Sequence, residues 1–215
     1  MQEIRRDNEK ILSATFITKM NTFCNYAKHE LIIKGEIIIM RKLLLIIIAA
    51  TSLSGFAATF LNIGASYDIG FSPNGNSLTT VLKGIDSAQK SIHVAAYSFT
   101  SKPIATALLN ASKRGVTVKV IADQKSNLGR YSAVTYLANN GVDVKLDGNY
   151  PIFHHKFMVI DGTSLETGSF NFSAAAANKN AENVLLLLNV PQLAQTYDKE
   201  WQKLWNEAQP ITAKY

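Results

Sequence analysis

Thiol chemistry is nearly absent from this chain: of 215 residues a single one is cysteine, Cys24. One cysteine excludes an intramolecular disulfide and any zinc site built from several thiolates, and everything after position 24 lacks a thiol nucleophile. Long apolar runs are also lacking. The most apolar stretch, which follows Arg41 and Lys42, extends for about a dozen residues, short of the roughly 20 that a membrane-spanning helix requires. There is no internal repeat and no low-complexity tract, which excludes solenoids and linker-like chains. Nor does either sign of charge dominate, with 22 Lys and Arg against 16 Asp and Glu, a net +6. So modest an excess suggests anionic partners without choosing between nucleic acid and membrane phosphate. With 47% hydrophobic and 18% charged residues, the composition is that of a globular chain able to build one real core.

The segment from Met40, MRKLLLIIIAATSLSGFAATF, has a start residue, two cations, an apolar run and then small residues around Gly55, Ala57 and Ala58. That order is the anatomy of a secretory signal peptide spanning residues 40–57, with cleavage after Ala57 or Ala58; the competing reading is a membrane anchor. Residues 1–39 then become a leader that precedes the true start, because a secretory signal buried behind them would be hard for an export machinery to use. Lys34-Gly35-Glu36 can be written in codons that contain a purine-rich bacterial ribosome-binding sequence, which agrees with a start at Met40. The expectation is a bacterial protein, periplasmic or secreted, with one domain over residues 58–215 and no stable membrane association after signal cleavage. Residues 1–57 hold eight basic and five acidic residues, so the domain keeps 14 against 11, a net +3.

Strands and helices alternate through that domain. Ser66–Phe71, Ser91–Phe99, Val116–Ala122 and Val142–Leu146 read as strands, separated by helices over Ser77–Ala88, from Pro103 to Arg114, and over Tyr131–Asn139. Phe153–Ile160 and Ser164–Ser169 follow as two strands joined by the Asp161-Gly162 turn. Asn183–Val190 is a further strand, and Pro191–Asn206 a closing helix whose buried stripe is Leu193, Tyr197, Trp201 and Leu204. The implied fold is α/β: a mixed, mostly parallel sheet flanked by helices on both faces, with ligands expected at the carboxyl ends of strands.

Most of the residues suited to phosphate chemistry fall within His154–Glu182. His154 and Lys156, two apart, would share one face of a strand, and Ser169 and Asn171 repeat the spacing after Gly168. A histidine, a fixed cation and two neutral hydrogen-bonding side chains converging in one place suit an oxyanion, while Phe157, Val159, Phe170 and Phe172 face away into a core. Asp161 lies an odd number of residues from Lys156 and is expected off the reactive face, closing the turn. His155 is expected on the opposite face as a neighbour or substrate contact. His93 reads as a satisfied core histidine, and Asp123, Lys125 and Arg130 as a solvated loop. His154 and His155 have no accompanying set of carboxylates or thiolates, so no metal and no cofactor are expected.

The run His154-x-Lys156, four residues, Asp161, six residues, Gly168-Ser169-x-Asn171 resembles the HKD signature of the phospholipase D superfamily, and fixed offsets for six residues leave little room for coincidence. The resemblance extends to an acidic residue after the motif, Glu182, and to Tyr97–Ser101, and covers about residues 60–210. It is greatest to the short bacterial endonucleases that carry one motif per chain, and implies their α-β-α sandwich. It also implies that His154 forms a covalent phosphohistidine, that Lys156, Ser169 and Asn171 hold the phosphate oxygens, and that Glu182 accepts the other imidazole proton. Two motifs face each other in this superfamily, so one per chain implies a twofold homodimer with the site across its interface. The function expected is a metal-independent phosphodiesterase, foremost an endonuclease on DNA or RNA. The alternatives are a lipid phosphodiesterase and a non-catalytic nucleic-acid-binding protein; the complete motif and the weak charge count against the last.

Overall fold

A computed structural model describes residues 18–21, 60–129 and 132–211. The chain divides into two units, Met1–Thr59 and Phe60–Tyr215, and of the first only a helical segment at 18–21 is described. The expected signal peptide lies outside the described residues, as does the rest of the expected leader.

The second unit is built on an eight-stranded sheet. Its strands are β1 (Ser66–Ser72), β2 (Ser91–Ala96), β3 (Thr117–Asp123), β4 (Asp143–Asp147), β5 (Lys156–Ile160), β6 (Ser164–Gly168), β7 (Glu182–Leu188) and β8 (Gln209–Pro210), in the spatial order β1-β7-β6-β5-β2-β3-β4-β8. The described helices of this unit are α1 (Ser77–Ser87), α2 (Lys102–Lys113), α3 (Gln124–Asn127), α4 (Ala133–Asn139), α5 (Ala174–Asn178) and α6 (Pro191–Glu207). Mixed sheet and helices on both faces agree with the sequence; the proportion of parallel pairing does not. Only β2/β3 and β3/β4 are parallel, and the remaining five pairings are antiparallel. The connections decide this. Helices α2 and α4 carry the chain back between β2, β3 and β4, whereas β5 and β6 are joined by the turn at Asp161–Thr163, too short for a crossover.

The sheet separates two cores. On one side Met158, Ile160, Val184 and Leu186 meet Val81 and Ile85 of α1 and Ile104 and Leu108 of α2. On the other, Phe157, Val159 and Leu165 meet Ala194, Trp201 and Leu204 of α6. The alternation along β5 thus fills both cores, as expected of a central strand covered on both faces. Phe170 and Phe172, expected beside Phe157 and Val159, lie in the opposite core, because the chain leaves β6 after Gly168 and they are not part of the ladder. Of the stripe expected on α6, Trp201 and Leu204 are fully buried, and Leu193 and Tyr197 pack at its margin. Trp201 also donates its indole N–H to the Val94 carbonyl at 2.9 Å, fastening α6 to β2. Helix α1 approaches the sheet at Gly84, where a Cβ would stand 3.1 Å from Ile160 and 3.2 Å from Leu186.

Serines set three helix starts. Ser101, Ser132 and Ser173 accept from Ile104, Val134 and Ala176 at the heads of α2, α4 and α5. Two short helices, α3 and α5, and the two-residue strand β8 have no counterpart in the sequence pattern, being too short to develop a hydrophobic period.

Candidate active site

The motif histidine precedes the strand expected to carry it. Strand β5 begins at Lys156, so His154 sits on the extended segment leading into it, with its ring exposed. That segment is held from behind. The Phe153 N–H donates to Asp123 Oδ2 at 3.0 Å, and the Phe153 side chain is buried. Asp123, expected in a solvated loop, is only 3% exposed and also accepts from the Ser126 N–H at 2.7 Å as the N-cap of α3. Burial alone would raise its pKa, but the donors from Phe153 and Ser126 and the charge of Lys125 hold it below the usual aspartate range. An Asp directly after a strand and three residues before a polar N–H is a capping signal that the sequence did carry. Lys125 is exposed, its ammonium 3.5 Å from the Pro151 carbonyl, and Arg130 lies outside the described residues.

Tyr97, just past the end of β2, stands beside His154 and Lys156. Its ring is 4.7 Å from the His154 imidazole, tilted by 58°, and the Lys156 ammonium lies over its face at 5.1 Å. The ammonium also donates to the His154 carbonyl at 2.8 Å. Desolvation pushes the Lys156 pKa down, against the opposing attraction of Glu182. His155 points to the α6 side, edged by Phe153 and Phe157 at 5.3 and 5.5 Å, and desolvation lowers its pKa as well. His93 is more exposed than a core residue: its Nδ1 is 2.5 Å from Asp198, and its ring stacks on Trp201 at 4.2 Å.

Beyond β6 the chain keeps Ser169 beside β7. Its hydroxyl donates to Glu182 Oε2 at 2.6 Å and accepts from the Asn183 N–H at 3.1 Å. Gly168 permits this closeness, since a Cβ there would collide with the Asn183 carbonyl. Glu182 spends its other oxygen on the Asn180 amide at 3.0 Å, and makes no hydrogen bond to His154. Within one chain the carboxylate expected to meet an imidazole is thus bonded to Ser169 and Asn180. Its place at the head of β7, opposite Ser169, puts the serine within reach. Asn171 keeps its amide oxygen buried and without a partner, at a cost of roughly 1–3 kcal/mol, a deficit that functional sites tolerate.

Asp161 lies at the far end of β5, in the turn, with φ 53°. Its carboxylate accepts from three consecutive backbone N–H groups, those of Gln89, Lys90 and Ser91, at 2.9, 2.7 and 2.9 Å. It thus fixes the entry into β2 and takes no part in the site.

A groove of about 310 Å³ joins His154, His155, Lys156, Thr167, Ser169 and Tyr197. A smaller one of about 140 Å³ shares the two histidines and continues past Tyr150 and Lys203. Asn171 and Glu182 do not line the larger groove; Glu182 acts on it through Ser169. Among the described residues, no three His, Cys, Asp or Glu side chains gather as a metal site. The groove lies where the carboxyl end of β6 meets the beginning of β5, whose Lys156 is registered with Ala96 at the carboxyl end of β2.

A histidine and a lysine facing a groove, backed by a serine–glutamate pair, are an oxyanion-binding arrangement on an α-β-α sandwich. The chain belongs to the phospholipase D-like family: the family model described as cardiolipin synthase, PLD-like domain, matches residues 81–205. It is similar to Nuc, a phospholipase D family member from Salmonella typhimurium, with 44% identity, a TM-score of 0.67, and coverage of 68% of this chain and 98% of that one. NucT from Helicobacter pylori is similar at 28% identity and a TM-score of 0.63, over 68% and 99% of the two chains. A phospholipase D of Rickettsia typhi is 37% identical over 131 residues, 61% of this chain and 64% of the relative, so the chain spans under two-thirds of that relative's length.

Proposed function

We propose that this protein is a phosphodiesterase, a metal-independent endonuclease acting on DNA or RNA through a covalent phosphohistidine, in a homodimer exported from a bacterial cell. The observation that carries the reading is the open groove on which His154, Lys156 and Ser169 converge. Its exposed imidazole suits an extended phosphodiester chain that enters sideways. A ring nitrogen of His154 attacks phosphorus and the bond to the leaving oxygen breaks, with Lys156 holding the non-bridging oxygens and Ser169 joining it when its proton turns from Glu182 to the phosphate. The leaving oxygen takes a proton from His154 of the second copy, which then deprotonates the water that releases the phosphoryl group. Glu182 orients the Ser169 hydroxyl, and contact with backbone phosphates alone gives little base preference.

A lipid phosphodiesterase is the second reading. Phe60, Leu61, Ile63, Tyr67, Ile69 and Phe71 leave large apolar surfaces exposed at the start of the domain, and relatives carry the name phospholipase D. The discriminating experiment incubates the protein, in excess chelator, with plasmid DNA, single-stranded RNA, and phosphatidylcholine or cardiolipin vesicles. Chelator-resistant nucleic-acid cleavage that disappears in His154→Ala supports the nuclease. Lipid turnover with intact nucleic acid would replace it by the second reading, and cleavage retained in His154→Ala would remove the mechanism.

A further inference from the structure

We propose that Tyr97 is a positioning residue of the phosphoryl-transfer site, its ring holding the His154 imidazole and the Lys156 ammonium at a fixed separation. The proposal rests on the roles given above to His154 and Lys156, but on no particular substrate.

Among the described residues the tyrosine hydroxyl has no hydrogen-bond partner, so what Tyr97 offers the site is its ring. That ring makes two dissimilar contacts. The imidazole lies against it at 4.7 Å, and the ammonium sits over its face at 5.1 Å, within the range where the ring quadrupole attracts a cation. His154 is exposed and precedes the regular strand, and Lys156 is a long side chain with four rotatable bonds. Neither is rigid by itself. A common aromatic wall removes much of that freedom from both, which is what a site needs when a nucleophile and a cation must meet one phosphate.

The backbone that carries the ring is fixed by the interior. Asn127, 1% exposed, donates to the Tyr97 carbonyl at 2.6 Å and to the Asp123 carbonyl at 2.8 Å, and accepts from the Phe99 N–H at 3.0 Å. On the other side, Thr100 and Ser101 donate their N–H groups to the Phe172 carbonyl at 2.9 and 2.8 Å, and Phe99 packs edge-on against Phe172 at 5.6 Å. The Tyr97–Ser101 stretch is thus clamped between the network that holds the His154 segment and the segment that carries Asn171. Tyr97 is the member of the clamp that reaches the reacting groups.

Three substitutions test this in the full chain: Tyr97→Phe, Tyr97→Leu and Tyr97→Met, the last keeping a long apolar side chain without an aromatic face. Hydrolysis of bis(4-nitrophenyl) phosphate, a small diester, keeps the kinetics independent of whether the natural substrate is nucleic acid or lipid. Tyr97→Phe is expected to stay within about twofold of the parent, since phenylalanine keeps the quadrupole. Leu and Met are expected to lower kcat by roughly 100-fold, as a misplacement near 1 Å does, with KM moving much less. Independently of turnover, the imidazole proton resonances of His154, assigned by their loss in His154→Gln, should lose their ring-current shift in Leu and Met and keep it in Phe. Full activity in Leu or Met overturns the proposal, as do unchanged His154 resonances. A Phe variant as damaged as Leu also overturns it, by assigning the effect to the hydroxyl. If the parent cleaves no diester, the reading of the site fails, while the resonances still decide the role of Tyr97.

Discussion

Glu166 shows how much a single side chain can oppose the fold that contains it. It lies fully buried on β6, registered with Met158 and Leu186, its Oε2 without a partner, and burial pushes its carboxyl up to about 8 from 4.5. The folded chain therefore holds a proton that the unfolded chain releases. Stability from this group is full below about pH 4.5 and is lost progressively as the pH rises through 8. Glu166→Gln removes that dependence, so its stability relative to the parent should improve between pH 5 and 8 by an amount on the order of a few kcal/mol. Urea unfolding midpoints across that range measure it; parallel curves for parent and variant would show that no proton is retained. Asp161 is the converse case. Its charge is matched by three N–H groups, and its left-handed φ is one that Asp and Asn tolerate, so a residue of the catalytic signature serves the turn.

At the scale of elements, the end of β6 is where backbone packing and chemistry depend on each other. Gly168 pairs with Val184, and the next residue, Ser169, donates its N–H to the Asn183 carbonyl at 3.2 Å. A methyl group at position 168 would meet that same carbonyl, and relief of the clash must move backbone on β6 or β7. Gly168→Ala is accordingly expected to cost roughly 1–3 kcal/mol, as overpacking does, and to displace Ser169 from Glu182. Activity should fall by more than the loss of folded protein explains. Thermal unfolding alongside turnover per folded molecule tests this, and a variant destabilised but fully active when folded would separate the glycine from the chemistry. The interior clamp of Asp123 and Asn127 has the same logic: two loops that differ widely in sequence position are joined so that His154 presents a fixed backbone to solvent.

For the whole molecule, the proposed mechanism needs an acid as well as a nucleophile, and one chain contributes one motif histidine. If two copies share each site, mixing the parent with His154→Ala by unfolding and joint refolding makes mixed dimers that lack one of the pair. Activity should then fall as about the square of the parental fraction, whereas independent chains would give a straight line. Light scattering that finds only monomers under active conditions would likewise rule out a shared site. The +3 formal charge of residues 58–215 is small, so binding should rely on the groove more than on a broad basic surface, with a correspondingly shallow salt dependence.

Local and periodic features were legible in the chain alone: the order of strands and helices, the buried stripe of α6, and the spaced residues His154, Lys156, Asp161, Gly168, Ser169 and Asn171. Period-two and period-3.6 patterns report which face a side chain occupies, and a fixed spacing reports a motif. Tertiary structure decided what depends on contacts between distant segments. It placed Asp123 behind His154, across 30 positions, and Tyr97 against both His154 and Lys156. It gave Glu182 to Ser169, and it made most strand pairings antiparallel. The reason is that a hydrogen bond or a ring contact between remote residues leaves no period in the chain. Such contacts arise only once the sheet has set which strand ends lie side by side.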